Sequence, residues 1–587
     1  MDPGVILTSA QRDAITYSGH VLLDACPGSG KTRALVAKLL QACDAVRGSS
    51  QRVACITYTN AAVHEIEGRL HRLGAQGDSD LCHIGTIHAF CLQQILRPFS
   101  WLIGELPVEF KLVTADDQIF QEVVESVSST YGIEPDREAF TVLVRGIDGR
   151  AVKVDRVPAE AAEAFWSALL EQGAIDFASV LYYSQRIVKE YPWTARALAS
   201  RYPAFLLDES QDTTQVQLEI LRAIEAFKVT TFFLVGDSHQ SIFGFAGADP
   251  ECLRRFAADI GARDDIELLD NFRSGPKVIS VAESFRARGM RVGSSSQELH
   301  TASVDWHHVS SPFDGIVDHF LPNLESLGIE IGDAAVLAPS WFSLLKLGKQ
   351  LREYGVPIVG PGARPYKRHH AFAELAEQLC AAIAEQCPSL APLERQLFHT
   401  LTDLSGHEVF RVFSYDGRFL IYRLIHEVER IRDEEAGSGI RWLRAAARVV
   451  TEILRADDWL PASCASALTD SVEDMIADMT HNKVDLANLS TENLGLFASN
   501  ERNLKLMTMH RSKGREFKAV ALIGIHEGQV PHFQASTAAA VEESRRLLYV
   551  AMTRAEQKLM IFTDSSNYKN RPSRFLDDFP ITTLTRY

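Results

Sequence analysis

The sequence predicts an α/β protein with two parallel-sheet domains, each carrying a mostly helical insertion. Three observations predict it. A mostly apolar run, Val21 to Ala25, leads into the small-residue turn Cys26-Pro27-Gly28-Ser29-Gly30 and then into an amphipathic segment from Lys31-Thr32, which reads as strand, loop, helix. Short apolar runs that end in small or polar residues alternate with helical patterns as far as Ile279, and a second such alternation begins around residue 301. Two stretches, 98–174 and 366–500, are helical in pattern and interrupt it.

Composition sets the outer bounds. The 587 residues suffice for about four domains, and 46% hydrophobic with 23% charged residues is an ordinary globular balance. No apolar run reaches the length of a membrane span, and MDPGVILTSAQ lacks the basic-then-apolar pattern of a secretory signal. Nine scattered cysteines form no CxxC pair, so the expectation is reduced thiols in a cytoplasmic protein, with no zinc site and no membrane partner. A net charge of −16 argues against electrostatic coating of a duplex. It leaves room for a single-strand groove built from stacking aromatics, hydroxyls and a few cations.

The opening strand and turn form a phosphate-cradling loop. Gly28 and Gly30 leave room for backbone N–H groups to face phosphate oxygens, and the following helix N-terminus adds positive potential. Lys31 can reach β- and γ-phosphates, and the Thr32 hydroxyl can hold Mg²⁺. The strict pattern asks for Gly at position 25; Ala25 still fits a tight turn. Gln11, just upstream, has an amide that suits an adenine edge.

Arg52 to Thr57 reads as a second buried strand, followed by Tyr58, Thr59 and Asn60 on a strand-to-helix turn, where open α/β sheets place ligand contacts. Leu81 to Leu96 repeats the plan with Thr86 and His88; taken alone, His88 reads as a satisfied histidine at a helix start. The apolar run before Asp208-Glu209 ends in paired carboxylates. One of such a pair helps hold hydrated Mg²⁺, and the other positions and deprotonates an attacking water. Thr230 to Gly236 is another buried strand, followed by Asp237, Gln240 and two aromatics in a small-residue loop, Phe243 and Phe245, which read as stacking platforms. Arg273, after Asn271-Phe272, is a candidate cation for a γ-phosphate. Thr508, His510, Arg511 and Lys513 form a plausible phosphate-backbone contact set, and Arg554 sits at the end of the last amphipathic helix. The domain plan is 1–97 and 175–280 for the first core, with 98–174 inserted, then 281–365 and 501–587 for the second, with 366–500 inserted.

The segments CPGSGKT, TYTNAA, GTIHAF, DESQD, VGDSHQSIFGFAGA, NFRS, TMHRSKGREF and RRLLYVAMTRA, in that order, resemble the UvrD/Rep/PcrA group of superfamily 1 DNA helicases. The resemblance implies two RecA-like P-loop domains with ATP hydrolysed at the cleft between them, ATP and Mg²⁺ as cofactors, and 3′→5′ stepping along single-stranded DNA and single/double-strand junctions. It implies that Gln11 reads adenine between Arg33 and Phe272, that the loop from Ala25 through Cys26, Pro27, Gly28, Ser29 and Gly30 to Lys31 and Thr32 binds phosphate, and that Thr32 and Asp208 hold the metal. Glu209 becomes the catalytic base, Gln240, Arg273 and Arg554 sense the γ-phosphate, and Glu516 holds the ribose. Tyr58, Thr59, Asn60, Thr86, His88, Phe243, Phe245, Thr508 and His510 would line the single-strand track.

Three departures stand out: both aromatics of the SIFGF loop are phenylalanines where the group usually has larger ones, Ala246 stands where the group often has Arg, and the chain is short for the group, which puts unaided unwinding in question. A DNA-sensing ATPase that regulates a partner nuclease in anti-phage defence is the second reading, with a repair protein as another possible partner. A small-molecule P-loop kinase is a third, and it leaves the second α/β unit unexplained.

Overall fold

Strand order explains why the scattered motifs of the first half can act together. In the computed structural model the chain is described except for residues 1–6, 74–79, 108, 116, 153–155, 286–291, 295–301, 368–369, 385–388, 406–408, 436–437, 483, 485, 488, 499–500, 568, 579–584 and 587. Helix α1 (Ser9–Thr16) precedes β1 (Val21–Ala25), α2 (Lys31–Val46), β2 (Val53–Thr57), α3 (Asn60–Arg72) and β3 (Cys82–Thr86). After the first insertion come β4 (Ala204–Leu207), α4 (Gln215–Glu225), β5 (Thr231–Gly236), α5 (Pro250–Asp259), β6 (Glu267–Leu268) and α6 (Pro276–Phe285). The six strands form one sheet in the order β6-β1-β5-β4-β2-β3. Every pairing in it is parallel, for example Val21↔Phe233 through Asp24↔Gly236 and Val53↔Cys82 through Thr57↔Thr86.

The strands are apolar almost without interruption because helices cover both faces of the sheet. Ala54, Ile56, Phe232 and Leu234 pack into one core, while their neighbours Val53, Cys55, Phe233 and Val235 pack into another. The carboxyl ends of all six strands therefore lie along one edge. With neighbouring strands ~4.8 Å apart, that edge is about 24 Å long.

The second sheet has seven strands. They are β7 (Ser303–Val309), β8 (Ala334–Ala338), β9 (Ile358–Val359), β10 (Leu504–Thr508), β11 (Phe517–Leu522), β12 (Ala555–Asp564) and β13 (Thr585–Arg586), in the order β9-β10-β8-β11-β12-β7-β13. All its pairings are parallel as well. Helix α7 (Trp341–Tyr354) follows β8, and α8 (Ala538–Met552) precedes β12. Each inserted stretch has its own core: Val113 to Ala174 gather around Phe120, Phe140, Phe165 and Trp166, and Tyr366 to Leu494 around Trp442.

The chain divides into two compact units, 1–302 with 535–553, and 303–534 with 554–587. The sequence reading assigns α8 to the second core, yet it belongs to the first unit. The cause is side-chain chemistry on α8: Tyr549 donates to Glu283 at 3.0 Å and Arg545 to the Phe285 carbonyl at 3.3 Å, both on α6.

Candidate nucleotide and nucleic-acid site

The phosphate loop is closed by one bond to β6 and one of its own. Cys26 N–H donates to the Leu268 carbonyl at 2.8 Å, and Ser29 Oγ donates to the Cys26 carbonyl at 2.7 Å. Gly28 and Gly30 have φ of +69° and +80°. A Cβ on Gly28 would stand 2.6 Å from the Arg273 Cβ, and one on Gly30 would stand 2.8 Å from Gln11 Nε2. The two glycines thus supply the left-handed turn and let two flanking segments close on the loop. Ala25, Cys26 and Ser29 are buried, while Thr32 is half-buried and Arg33 exposed. Lys31 Nζ lies 3.4 Å from the Ala25 carbonyl and 3.8 Å from Asp237 Oδ2, across the loop at the start of α2.

Gln11 is only 1% exposed. Its Oε1 accepts from Thr8 N at 3.0 Å and its Nε2 donates to the Ser29 carbonyl at 3.0 Å, so the amide ties α1 to the phosphate loop. On the other flank, Phe272 N–H donates to the Gly28 carbonyl at 2.9 Å, and Asn271 Oδ1 accepts from Arg273 N and Ser274 N at 2.8 Å each. The Phe272 ring is 43% exposed.

The carboxylates follow β4, two strands from β1. Asp208 N donates to the Ile56 carbonyl at 2.8 Å, which extends the ladder by one residue. Glu209 then turns sharply, with φ +49°, a conformation that costs a non-glycine residue about 1–3 kcal/mol and persists only where its surroundings hold it. Gln211 supplies that hold. Its Nε2 donates to Glu209 Oε2 at 2.6 Å, and its Oε1 accepts from Asp237 N at 2.9 Å. Asp237 is fully buried and accepts from Gln240 Nε2 at 2.5 Å through Oδ2 and from His239 N at 3.0 Å through Oδ1. Burial, then the Glu209 charge, pushes the Asp208 carboxyl up to about 7, with Lys31 pulling the other way. Two adjacent carboxylates with incomplete positive compensation are the electrostatics that a divalent cation completes.

Farther along the same edge, Tyr58 and Phe243 stack with ring centroids 4.9 Å apart and planes 25° apart. Phe243 meets Phe245 at 5.9 Å, and Phe245 is 44% exposed. Burial and Asp212 push the Tyr58 phenol up to about 12, so it stays a neutral donor. Thr59 and Thr86 cap helices, accepting from Ala62 N and Ala89 N at 3.2 Å each, and Asn60 stands exposed beside Thr59. His88 meets the exposed Phe177 edge-on at 5.5 Å, and desolvation lowers it to about 4, so its imidazole is neutral at physiological pH.

The remaining sequence-predicted residues belong to the second unit. Thr508 ends β10, and His510 opens the next turn, lowered by burial to about 4. Glu516 is exposed just before β11. Arg554 is 2% exposed; its Nη1 donates to the Arg515 carbonyl at 3.4 Å, and its own carbonyl accepts from Phe517 N. The sequence reading gave no role to Gln211, Asp237, Asn271 or Phe177. Asp237 carried a signal, because it directly follows a buried strand. Gln211 is defined only by which strands are neighbours, Asn271 by the local turn that its side chain closes, and Phe177 by the ring of His88 that it meets.

Comparison with known proteins agrees with this architecture. Residues 7–261 match the UvrD/REP helicase N-terminal domain, and residues 462–566 match the UvrD-like helicase C-terminal domain. The chain belongs to the UvrD/Rep/PcrA-like superfamily 1 helicases. It is an ATP-dependent DNA helicase of that family. DNA helicase II of Salmonella typhimurium is 24% identical over 98% of this chain and 87% of its own length; that of Escherichia coli is 23% identical with the same coverage. The ATP-dependent DNA helicase PcrA of Staphylococcus aureus is 24% identical over 99% of this chain and 87% of its own. Among the described residues no helix is long and apolar enough to cross a membrane.

Two outcomes follow from the geometry. A Cβ on Gly236 would meet Gln211 Oε1 at 2.5 Å and Ser210 Oγ at 2.7 Å. Gly236→Ala should therefore part the 208–212 turn from the end of β5, lowering stability to denaturant by about 1–3 kcal/mol and ATPase with it; unchanged values would show that this contact is slack. Asp208→Asn should raise the melting temperature in the absence of nucleotide and divalent cation. The carboxyl is raised from 3.8 to about 7, so its cost to the folded state is full above pH 7 and fades as pH falls towards 3.8. The gap between variant and wild type should be widest at alkaline pH and close near pH 4. A pH-independent gap would contradict the buried-carboxylate account.

Proposed function

We propose that the chain is a cytoplasmic 3′→5′ translocase on single-stranded DNA that engages single/double-strand junctions and hydrolyses ATP to ADP and phosphate as it moves. Lys31 and the backbone N–H groups of residues 28–32 hold the β- and γ-phosphates at the start of α2. Thr32 and Asp208 hold Mg²⁺, which when bound offsets phosphate charge. Glu209 accepts a proton from the water that attacks the γ-phosphorus while the bond to the bridging oxygen breaks. Gln240, Arg273 and Arg554 respond to the γ-phosphate. Gln11, which keeps one amide hydrogen beyond its bond to Ser29, reads the base between Arg33 and Phe272, and Glu516 takes the ribose.

The observation that carries this reading is one loop. Asp237 faces Lys31 at 3.8 Å, Gln240 follows three residues later, and Phe243 stacks on Tyr58. Phosphate contacts and stacking rings thus share a single short segment, as an ATPase governed by a strand of bases requires. Thr59, Asn60, Thr86 and neutral His88 extend the track across the ends of β2 and β3, and Thr508 and His510 are strand contacts by the family resemblance. His88 and His510 would act by stacking and hydrogen bonding rather than by charge.

The test is ATPase activity titrated with single-stranded DNA, duplex DNA and RNA. Wild type should be stimulated strongly by single-stranded DNA, and Glu209→Gln should lose nearly all turnover while still binding nucleotide. Activity indifferent to nucleic acid would refute the reading. Strand displacement from duplexes with a 3′ or a 5′ overhang checks polarity. Phe243→Ala should weaken single-strand binding by about 1–3 kcal/mol, read by fluorescence anisotropy, and Phe243→Trp should preserve it; equal affinity for all three proteins would remove the stacking shelf from the account.

A further inference from the structure

The segment from Asp237 to Ala248 has little structure of its own. It consists of two single 3₁₀ turns, Ser238–Gln240 and Gly244–Ala246, joined through Ser241, Ile242 and Phe243. Ile242 is fully buried and fixes the joint by packing. Ser241 fixes it by polar contacts. Its Oγ donates to the Gln211 carbonyl at 3.3 Å, on the residue whose amide also holds Glu209 and Asp237. Its own carbonyl accepts from Arg546 Nε at 2.7 Å.

Arg546 comes from α8, which enters the first unit only after residues 303–534 have been built into the second. The guanidinium is half-buried. One turn earlier on the same helix, Glu543 lies over Gly244, where an added Cβ would stand 2.8 Å from Oε1. Tyr549 and Arg545 anchor α8 to α6, and Tyr549 also meets the His239 ring at 6.3 Å. Across the segment, a Cβ on Gly247 would stand 3.0 Å from Val144 of the first insertion.

We infer that Arg546 is a positioning residue: by holding the Ser241 carbonyl it makes Gln240 and the Phe243–Phe245 shelf move as one piece, so that a strand seated on the shelf sets the rate of ATP hydrolysis. This rests on the function proposed above. Ser241 is adjacent to Gln240 and two residues from Phe243, and each neighbouring turn is too short to be rigid by itself. With the carbonyl held, displacement of Phe243 by a stacked base is passed to Gln240. Without it, the two turns adjust separately, and hydrolysis continues at its unstimulated rate whether or not a strand is bound.

The experiment is ATPase as a function of single-stranded DNA concentration, with melting temperature measured in parallel, for wild type, Arg546→Met, Arg546→Lys and Tyr549→Phe. Arg546→Met keeps the apolar stem and removes the donor. Its basal rate and half-saturating DNA concentration should match wild type, and its maximal stimulation should fall by about tenfold, the scale of coupling changes at contacts away from both ligands. Arg546→Lys restores a donor without the planar fork and should recover part of the stimulation. Tyr549→Phe loosens α8 elsewhere and should stay fully stimulated. Full stimulation in Arg546→Met overturns the inference, and so does an equal loss in Tyr549→Phe, which would mean that only general docking of α8 matters. Should Arg546→Met fail to fold, Arg546→Lys decides: full stimulation refutes and partial stimulation with a normal basal rate supports. A wild type that single-stranded DNA does not stimulate would instead sink the proposed function.

Discussion

The amide of Gln211 is the tie on which the phosphate end of the first unit depends. One side chain reaches the Glu209 carboxylate with its donor and the Asp237 backbone with its acceptor, at 2.6 and 2.9 Å. Those partners follow β4 and β5, which lie side by side in the sheet. The bond to Glu209 also helps hold a residue in a left-handed conformation that it would not keep alone. In a site this buried, each polar group depends on its partner, because an unpaired one would bear the full cost of desolvation. Orientation of the acid at 209 and placement of the segment that begins at 237 are therefore a single structural variable.

That variable explains how two unlike chemistries share one sheet edge. The phosphate loop follows β1, the carboxylates follow β4, and the strand between them is β5. The loop after β5 reaches from Lys31 of the phosphate loop at its start to Tyr58 at its end, since β2 and its Tyr58 lie just beyond β4. Nothing in the fold has to bend to join the two. Parallel pairing with helices on both faces brings all six carboxyl ends to one side, and strand order does the rest.

The parts legible in the sequence were those whose physics is short-range. A strand, a turn rich in glycine and a helix opening on Lys31 are contiguous, so their meaning survives without coordinates. The same holds for Asp208-Glu209 at the end of an apolar run and for Phe243 and Phe245 among small residues. Much of what escaped was set by neighbours distant in the chain. Gln211 looks like any polar turn residue until β4 is seen beside β5. Thr59 and Thr86 read as ligand contacts, and their hydroxyls are also helix caps. His88 reads in the sequence as a satisfied helix-start histidine and His510 as part of a phosphate-contact set, and burial makes both neutral. Helix α8 has an amphipathic pattern that says it packs, and only Tyr549, Arg545 and Arg546 decide against what.

The route of the chain through α8 also bears on biosynthesis. The first unit includes 535–553, but the ribosome makes 303–534 before that helix emerges. At roughly 5–20 residues per second, the earlier part waits on the order of tens of seconds for its last helix. During that interval the Glu283 carboxylate and the Phe285 and Ser241 carbonyls lack the bonds that Tyr549, Arg545 and Arg546 later make to them. A nascent polypeptide halted between residues 302 and 535 would carry the phosphate loop and both carboxylates, yet leave the segment between Gln240 and Phe243 without its clasp.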